Sequence, residues 1–235
     1  MKLVAALLST FALQTVFADY LSDLGSNAPT QAQVKASLSP PAGHTVFDVF
    51  YAKGNRIYQC NPEKKGFQHW YSVQTHAFLY PTQGKQAPYD QQGQEIGQLS
   101  IAPLSNNPTQ SNPNDVVPVM YYYPDGSWLG SARPIATTSM EMGLAERLKA
   151  QHLDDHLVSV TKNTVDGYFS HAKYVVRLNT MDGMAPRAEE CVTKGQVVNK
   201  PFTAYFLLYT DSEGLVQLAQ EKVAWDQMVE EFTPK

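Results

Sequence analysis

His152 and His156 stand four residues apart in QHLDDHL, with Asp154 and Asp155 between them. On a helix, side chains at i and i+4 share a face, and two neutral imidazoles placed there can take one metal ion. No glutamate follows the first histidine, so the zinc-protease pattern is incomplete, and a solvated helix end is the competing reading. His44, His69, His76 and His171 are scattered and form no spacing of their own. Ser127 lies in DGSWLG, which lacks the Gly-x-Ser-x-Gly elbow that exposes a nucleophilic serine. Asp48, Glu95, Asp125 and Asp182 are the carboxylates available to a glycosidase, which needs two of them about 5 to 9 Å apart across a cleft. Nothing in the sequence pairs them. Aromatic residues are more suggestive: Trp70-Tyr71, Tyr80, Tyr89, Tyr121-Tyr122-Tyr123 and Trp128 supply flat faces that stack on sugars or apolar ligands. Strand cores are built from the same rings. Arg177, on the β-branched run Val175-Val176-Arg177-Leu178, is either a ligand-binding charge or a paired structural arginine. The ligand-binding candidates are therefore Trp70, Tyr122, Asp125, Trp128 and Arg177, and the metal candidates His152 and His156. No residue pattern points to a cofactor.

The elements that must position these residues begin after an export signal. Lys2, the apolar run Leu3 to Leu8 and the small-residue end Val16-Phe17-Ala18 are laid out as a secretory signal peptide over residues 1–18, with an apolar core too short to span a bilayer. The mature chain would carry a net charge of about −5, and no basic cluster suits a nucleic-acid backbone. No later segment reaches the length of a membrane span. In an oxidising compartment the two cysteines, Cys60 and Cys191, are expected to form a disulfide, not to serve as a nucleophile.

Residues 19–41, rich in Ser, Ala, Gln and Pro, read as a loosely docked lead-in. Residues 42–210 then show about ten short strands separated by turn signals. A hairpin is expected at Lys53-Gly54-Asn55, further turns at Asp125-Gly126, Asp166-Gly167 and Asp182-Gly183, and a long loop through most of residues 81–115. Apolar spacing predicts one helix over Met140 to Leu153 and another over the C-terminal extension 211–235, the latter as a lid on the sheet. The fold class is all-β: an antiparallel sandwich or barrel with one or two peripheral helices and one disulfide.

The ordered motifs Arg56-Ile57-Tyr58-Gln59-Cys60, Trp70, Asp125-Gly126-Ser127 with Gly130, Val176-Arg177-Leu178-Asn179-Thr180, Gly183-Met184-Ala185-Pro186, Cys191 and Pro201-Phe202-Thr203-Ala204-Tyr205 resemble a family. It is the secreted fungal and bacterial group known as domain of unknown function 3455. The resemblance covers roughly residues 42–210 and implies no agreed activity. Asp182 stands where relatives carry a glycine, and Gly97 to Pro103 lacks the histidine associated with the family, so no histidine chemistry carries over. Some relatives bear a malate dehydrogenase label. A nicotinamide site needs a glycine-rich turn between a strand and a helix, and this chain contains no Gly-x-Gly. That label is rejected.

The expected function is binding of a polysaccharide, a cell-wall component or a small apolar ligand outside the cell, without catalysis. An extracellular hydrolase or metal-dependent enzyme, working from the 81–115 loop and the Asp125 turn, is the alternative.

Overall fold

The alternation that begins at Thr45 predicts a strand, and it continues well beyond the expected turn. The computed structural model describes residues 28–64, 69–82, 95–103, 116–131, 133–140 and 152–232. Strand β1 runs unbroken over Thr45–Cys60. Lys53-Gly54-Asn55 is not a hairpin turn: Lys53 pairs with Phe78 of β2 (Trp70–Pro81) on one side and Thr203 of β9 (Val197–Thr210) on the other. Gly54 serves close approach here. A Cβ at Gly54 would stand 2.1 Å from the His76 carbonyl oxygen and 2.3 Å from the Ala77 Cα. A glycine in mid-strand lets a long strand coil tightly against its neighbour, as barrel closure demands.

Between β2 and β9 lie β3 (Gly97–Pro103), β4 (Val116–Tyr122), β5 (Trp128–Ser131), the short β6 (Ala136–Thr137), β7 (His156–Asn163) and β8 (Tyr174–Asp182). Every pairing is antiparallel, in the order β5-β4-β3-β2-β1-β9-β8-β7-β6. β5 also pairs with β7, through Leu129 with Asn163 and Gly130 with Lys162, and this closes eight strands into a barrel. β6 continues along the same edge of β7, at Leu157 and His156. Of the two architectures expected, the closed one is adopted; closure leaves no open edge on the ring and encloses an interior just wide enough for side chains or one small ligand.

β9 shows why part of the sequence does not alternate. Phe206 and Leu208 belong to the inner cluster with Phe50, Leu79, Met120 and Val175. Tyr205, Leu207 and Tyr209 belong to an outer cluster with Val49, Val176 and Leu178. The described part of the lead-in lies over that outer face, with Leu38 at 0 % exposure and Ala28 and Val34 beside it. A strand buried on both faces reads as a continuous apolar run, which is what Phe206-Leu207-Leu208-Tyr209 is.

One end of the barrel interior is packed with rings. The 3-10 turn Tyr168–His171 inserts Tyr168 and Phe169 against Phe50 and Tyr122, with centroids 5.1 to 5.6 Å apart for Phe50–Phe169, Tyr122–Tyr168 and Tyr122–Phe169. Helix α1 (Ser212–Phe232) starts where the C-terminal extension was expected to turn helical, capped by the Asp211 carboxylate, which accepts from the Gly214 amide at 2.9 Å. That bond, ahead of the nearby Lys173, lowers the Asp211 pKa. The helix packs on the Tyr168–His171 turn, where His171 meets Gln217 at 3.1 Å and Glu221 at 2.8 Å. Most of the other helix, expected over Met140 to Leu153, lies outside the described residues. Its ends are not α-helical: Thr138–Met140 is a 3-10 turn and His152 bridges Gly183 in extended backbone. No helix among the described residues is long and apolar enough to cross a membrane.

Cys60 and Cys191 are bonded, joining sites 131 residues apart. The bridge sits with Tyr58 and Trp70 in a small third cluster. Tyr58 Oη donates to the Gly183 carbonyl at 2.7 Å and Trp70 Nε1 to the Arg187 carbonyl at 3.0 Å, so the loop after β8 is fastened at both ends.

Candidate functional site

Alternation along the barrel strands places a row of side chains inward on each. On β1 that row is Phe50, Ala52, Gly54 and Arg56; on β8 it includes Val175 and Arg177; on β7 it includes His156 and Val158. The inner rows thus pass from rings and aliphatics at the packed end to Arg56, His156 and Arg177. These three line a cavity of about 700 Å³, together with Leu99, Met120, Leu129, Phe202 and Phe206. The volume falls within the range of small-molecule sites, and the composition is typical of them: mostly apolar walls with a few polar groups.

His156 and Arg177 are direct partners across β7 and β8. Arg177 Nε donates to the Asp154 carbonyl at 3.2 Å, and its Nη2 donates to the same oxygen. Arg56 Nε donates to Ser72 Oγ at 3.1 Å, and its guanidinium carbon lies 5.3 Å from the centroid of the Tyr58 ring. Burial lowers the Arg177 pKa to about 10, with a further push from Arg56 that Asp155, Asp154 and Tyr58 partly offset. Arg177 therefore stays cationic at neutral pH. Burial, then the positive Arg177 and Arg56, holds the His156 pKa well below its usual value, so the imidazole is neutral at pH 7. Both residues keep some accessible surface while lying deep in the protein, because that surface faces the cavity.

This depressed value predicts a pH signature. In the unfolded chain His156 takes up a proton as pH falls through about 6.5, whereas in the folded barrel it does so only at much lower pH. Stability should thus be lost as pH falls below about 6.5, with a slope approaching 1.4 kcal/mol per pH unit from this group. Urea unfolding of the wild type and of His156→Gln between pH 7.5 and 5 should show the variant with the shallower decline. Parallel curves would refute the assignment.

Of the five ligand-binding candidates, only Arg177 lies in the cavity. Trp70 is 5 % exposed beside the disulfide, and Tyr122 is 1 % exposed among the plugging rings. Asp125 caps a turn, its two oxygens accepting from the Ser127 and Tyr168 amides at 2.7 Å each. Ser127 Oγ accepts from the Phe169 amide at 3.0 Å. Trp128 is half-buried on β5, where its backbone pairs with Tyr121 and bonds Thr164. His152 and His156 do not share a helical face. His152 Nδ1 accepts from the Asp182 amide at 2.7 Å, whereas His156 joins the cavity wall. No group of three or more His, Cys, Asp or Glu among the described residues is arranged to hold a metal. Of the four carboxylates weighed for glycosidase chemistry, Asp48 accepts from Tyr168 Oη at 2.8 Å within the plug, Glu95 is exposed just ahead of β3, Asp125 is the cap, and Asp182 is at the His152 bridge.

Arg56 lines the cavity without having been among the sequence candidates. A hairpin at residues 53–55 hides its register; read as one continuous strand, Phe50, Ala52, Gly54 and Arg56 share a face, and a cation in an otherwise apolar row is the signal.

Residues 41–210 match the family model described as "Protein of unknown function (DUF3455)". No curated protein and no solved structure matches the chain.

Proposed function

Since the chain belongs to the DUF3455 family, whose description carries no activity, we propose from the geometry that it is an exported binding protein that holds one small, mainly apolar molecule inside its barrel, without catalysis. The single observation that carries this reading is the cavity of about 700 Å³ within the closed ring, walled by Leu99, Met120, Leu129, Val158, Val175 and Phe206. Burying an apolar molecule against such walls is favourable by about 25 cal/mol per Å² removed from water. Export rests on the layout of residues 1–18, and a disulfide is compatible with that location. A binding role is also supported by how the reactive types are used. Ser127 and Asp125 are engaged by backbone amides, and the chain's two cysteines are bonded to each other.

A polysaccharide platform is the weaker reading, because Trp70 and Tyr122 are too buried to offer a ring face to a sugar. The interior reading is tested with the protein recovered from culture medium, whose N-terminus is expected at Asp19. Titration with N-phenyl-1-naphthylamine, a neutral fluorophore that brightens in apolar surroundings, should give saturable one-to-one binding. Val158→Phe, which adds a ring to the cavity wall, should weaken it at least tenfold while the far-UV spectrum stays unchanged. Equal binding by the two proteins would remove the cavity from consideration.

A further inference from the structure

We propose that the molecule held in the barrel is an amphipathic anion, a carboxylate whose head group is bound by Arg177 and Arg56 while its apolar body lies along Leu99, Met120, Leu129 and Phe206. This deepens the cavity-binding reading and rests on it.

Three observations converge. First, the two guanidinium groups are held in place without being used up. Arg177 is anchored through Nε and Nη2 to the Asp154 carbonyl, and Arg56 through Nε to Ser72 Oγ. Arg177 Nη1 and both Nη groups of Arg56 have no acceptor among the described residues, and neither side chain has a carboxylate within ion-pair distance among them. A guanidinium fixed at one edge and open at the other is a preorganised fork for a planar carboxylate. Second, the charge of the lining opposes that of the chain. The whole protein carries a net charge of −4, yet the described lining residues include Arg56, Arg133, Lys162 and Arg177 against one carboxylate, Asp154. Third, the apolar walls adjoin these cations instead of being separated from them. Arg177 follows Val175 on the inner row of β8, and Arg56 follows the inward Phe50, Ala52 and Gly54 of β1. An apolar ligand with a neutral head would desolvate the guanidinium groups and leave them unpaired, which is unfavourable. A carboxylate head pairs both while its chain covers the walls.

The test is displacement of prebound N-phenyl-1-naphthylamine by ligands with one alkyl chain and different heads: decanoic acid, decanol, decylamine and decyl phosphate, at pH 7.5 and low salt, below micelle-forming concentrations. Decanoic acid should displace the probe at roughly 10- to 100-fold lower concentration than decanol, the range expected for hydrogen bonds to a charged group. Decylamine should be weaker than decanol. Arg177→Gln and Arg56→Gln should each shrink the acid-to-alcohol ratio, with each variant's displacement referred to its own titration with the probe, and Arg56→Lys should retain part of the preference. If Arg177→Gln fails to fold, the two Arg56 variants carry the test. Acid and alcohol displacing equally, with the probe still bound, would overturn the anionic head and leave the apolar cavity standing. No binding of the probe to the wild type would overturn the cavity reading itself. Decyl phosphate exceeding decanoic acid by more than tenfold would overturn the carboxylate in favour of a phosphate head.

Discussion

The Cys60→Ala, Cys191→Ala double variant is expected to lose about 3 to 5 kcal/mol of stability. The bridge closes a loop of 131 residues. Removing it returns loop-closure entropy to the unfolded chain, and the gain to that state grows with the logarithm of loop length. For a domain of this size the change corresponds to a fall in Tm of about 10 °C. The native barrel should survive it. Closure depends on the β5–β7 pairing, not on sulfur, and the 183–196 loop keeps the bonds from Tyr58 Oη and Trp70 Nε1. Guanidinium unfolding curves should therefore shift to a lower midpoint, while fluorophore binding in the cavity stays within twofold. A loss under 1 kcal/mol would show that the bridge does not constrain the unfolded chain as the entropy model requires.

Gly54→Ala is expected to cost about 3 kcal/mol or more. The new methyl would meet backbone, the His76 carbonyl at 2.1 Å and the Ala77 Cα at 2.3 Å, and backbone cannot rotate away as a side chain can. Relief would require β1 and β2 to part along the pairs that flank Gly54–Ala77, in the middle of the longest strand of the ring. Gly43→Ala is the informative comparison. Gly43 has φ of +91° in the turn before β1 and nothing within 4 Å of an added Cβ, so its penalty is conformational, about 1 to 2 kcal/mol. Urea midpoints of the two variants should fall in that order. The reverse order would mean that β1 and β2 do not approach as closely at Gly54 as the ladder requires.

The composition that makes Gly54 read as a turn residue also hides part of the cavity wall. Lys-Gly-Asn has the composition of a turn, and a local window cannot distinguish a glycine chosen for positive φ from one chosen for proximity to another strand. Misplacing that turn breaks β1 and separates Arg56 from the inward row it shares with Phe50 and Ala52. Arg177 was visible because a cation among Val175, Val176 and Leu178 is conspicuous within a few residues. Its partner in the cavity, Arg56, is 121 positions earlier in the chain. Spacing alone puts His152 and His156 on one helix face; pairing of His152 with Gly183 and of His156 with Arg177 draws this stretch into extended structure instead. Trp70 and Tyr122 were candidates because aromatic content alone does not say which rings face outward.

By itself the sequence determined what is encoded over short spans. Period-2 alternation sets the strands, and the glycines of Asp125-Gly126, Asp166-Gly167 and Asp182-Gly183 do take positive φ, although Asp182 ends β8 opposite Phe202 and Gly183 bridges His152 where a tight turn was expected. The change of spacing after Asp211 sets the C-terminal helix. Only the tertiary structure decided that the sheet closes through β5 and β7, that the inner rows leave a cavity, and that two arginines distant in sequence line it. Local conformation depends on neighbouring residues and leaves a pattern in them. Ring closure and the register that brings Arg56 and Arg177 to one interior depend on contacts between distant strands, which leave no periodic trace in the chain.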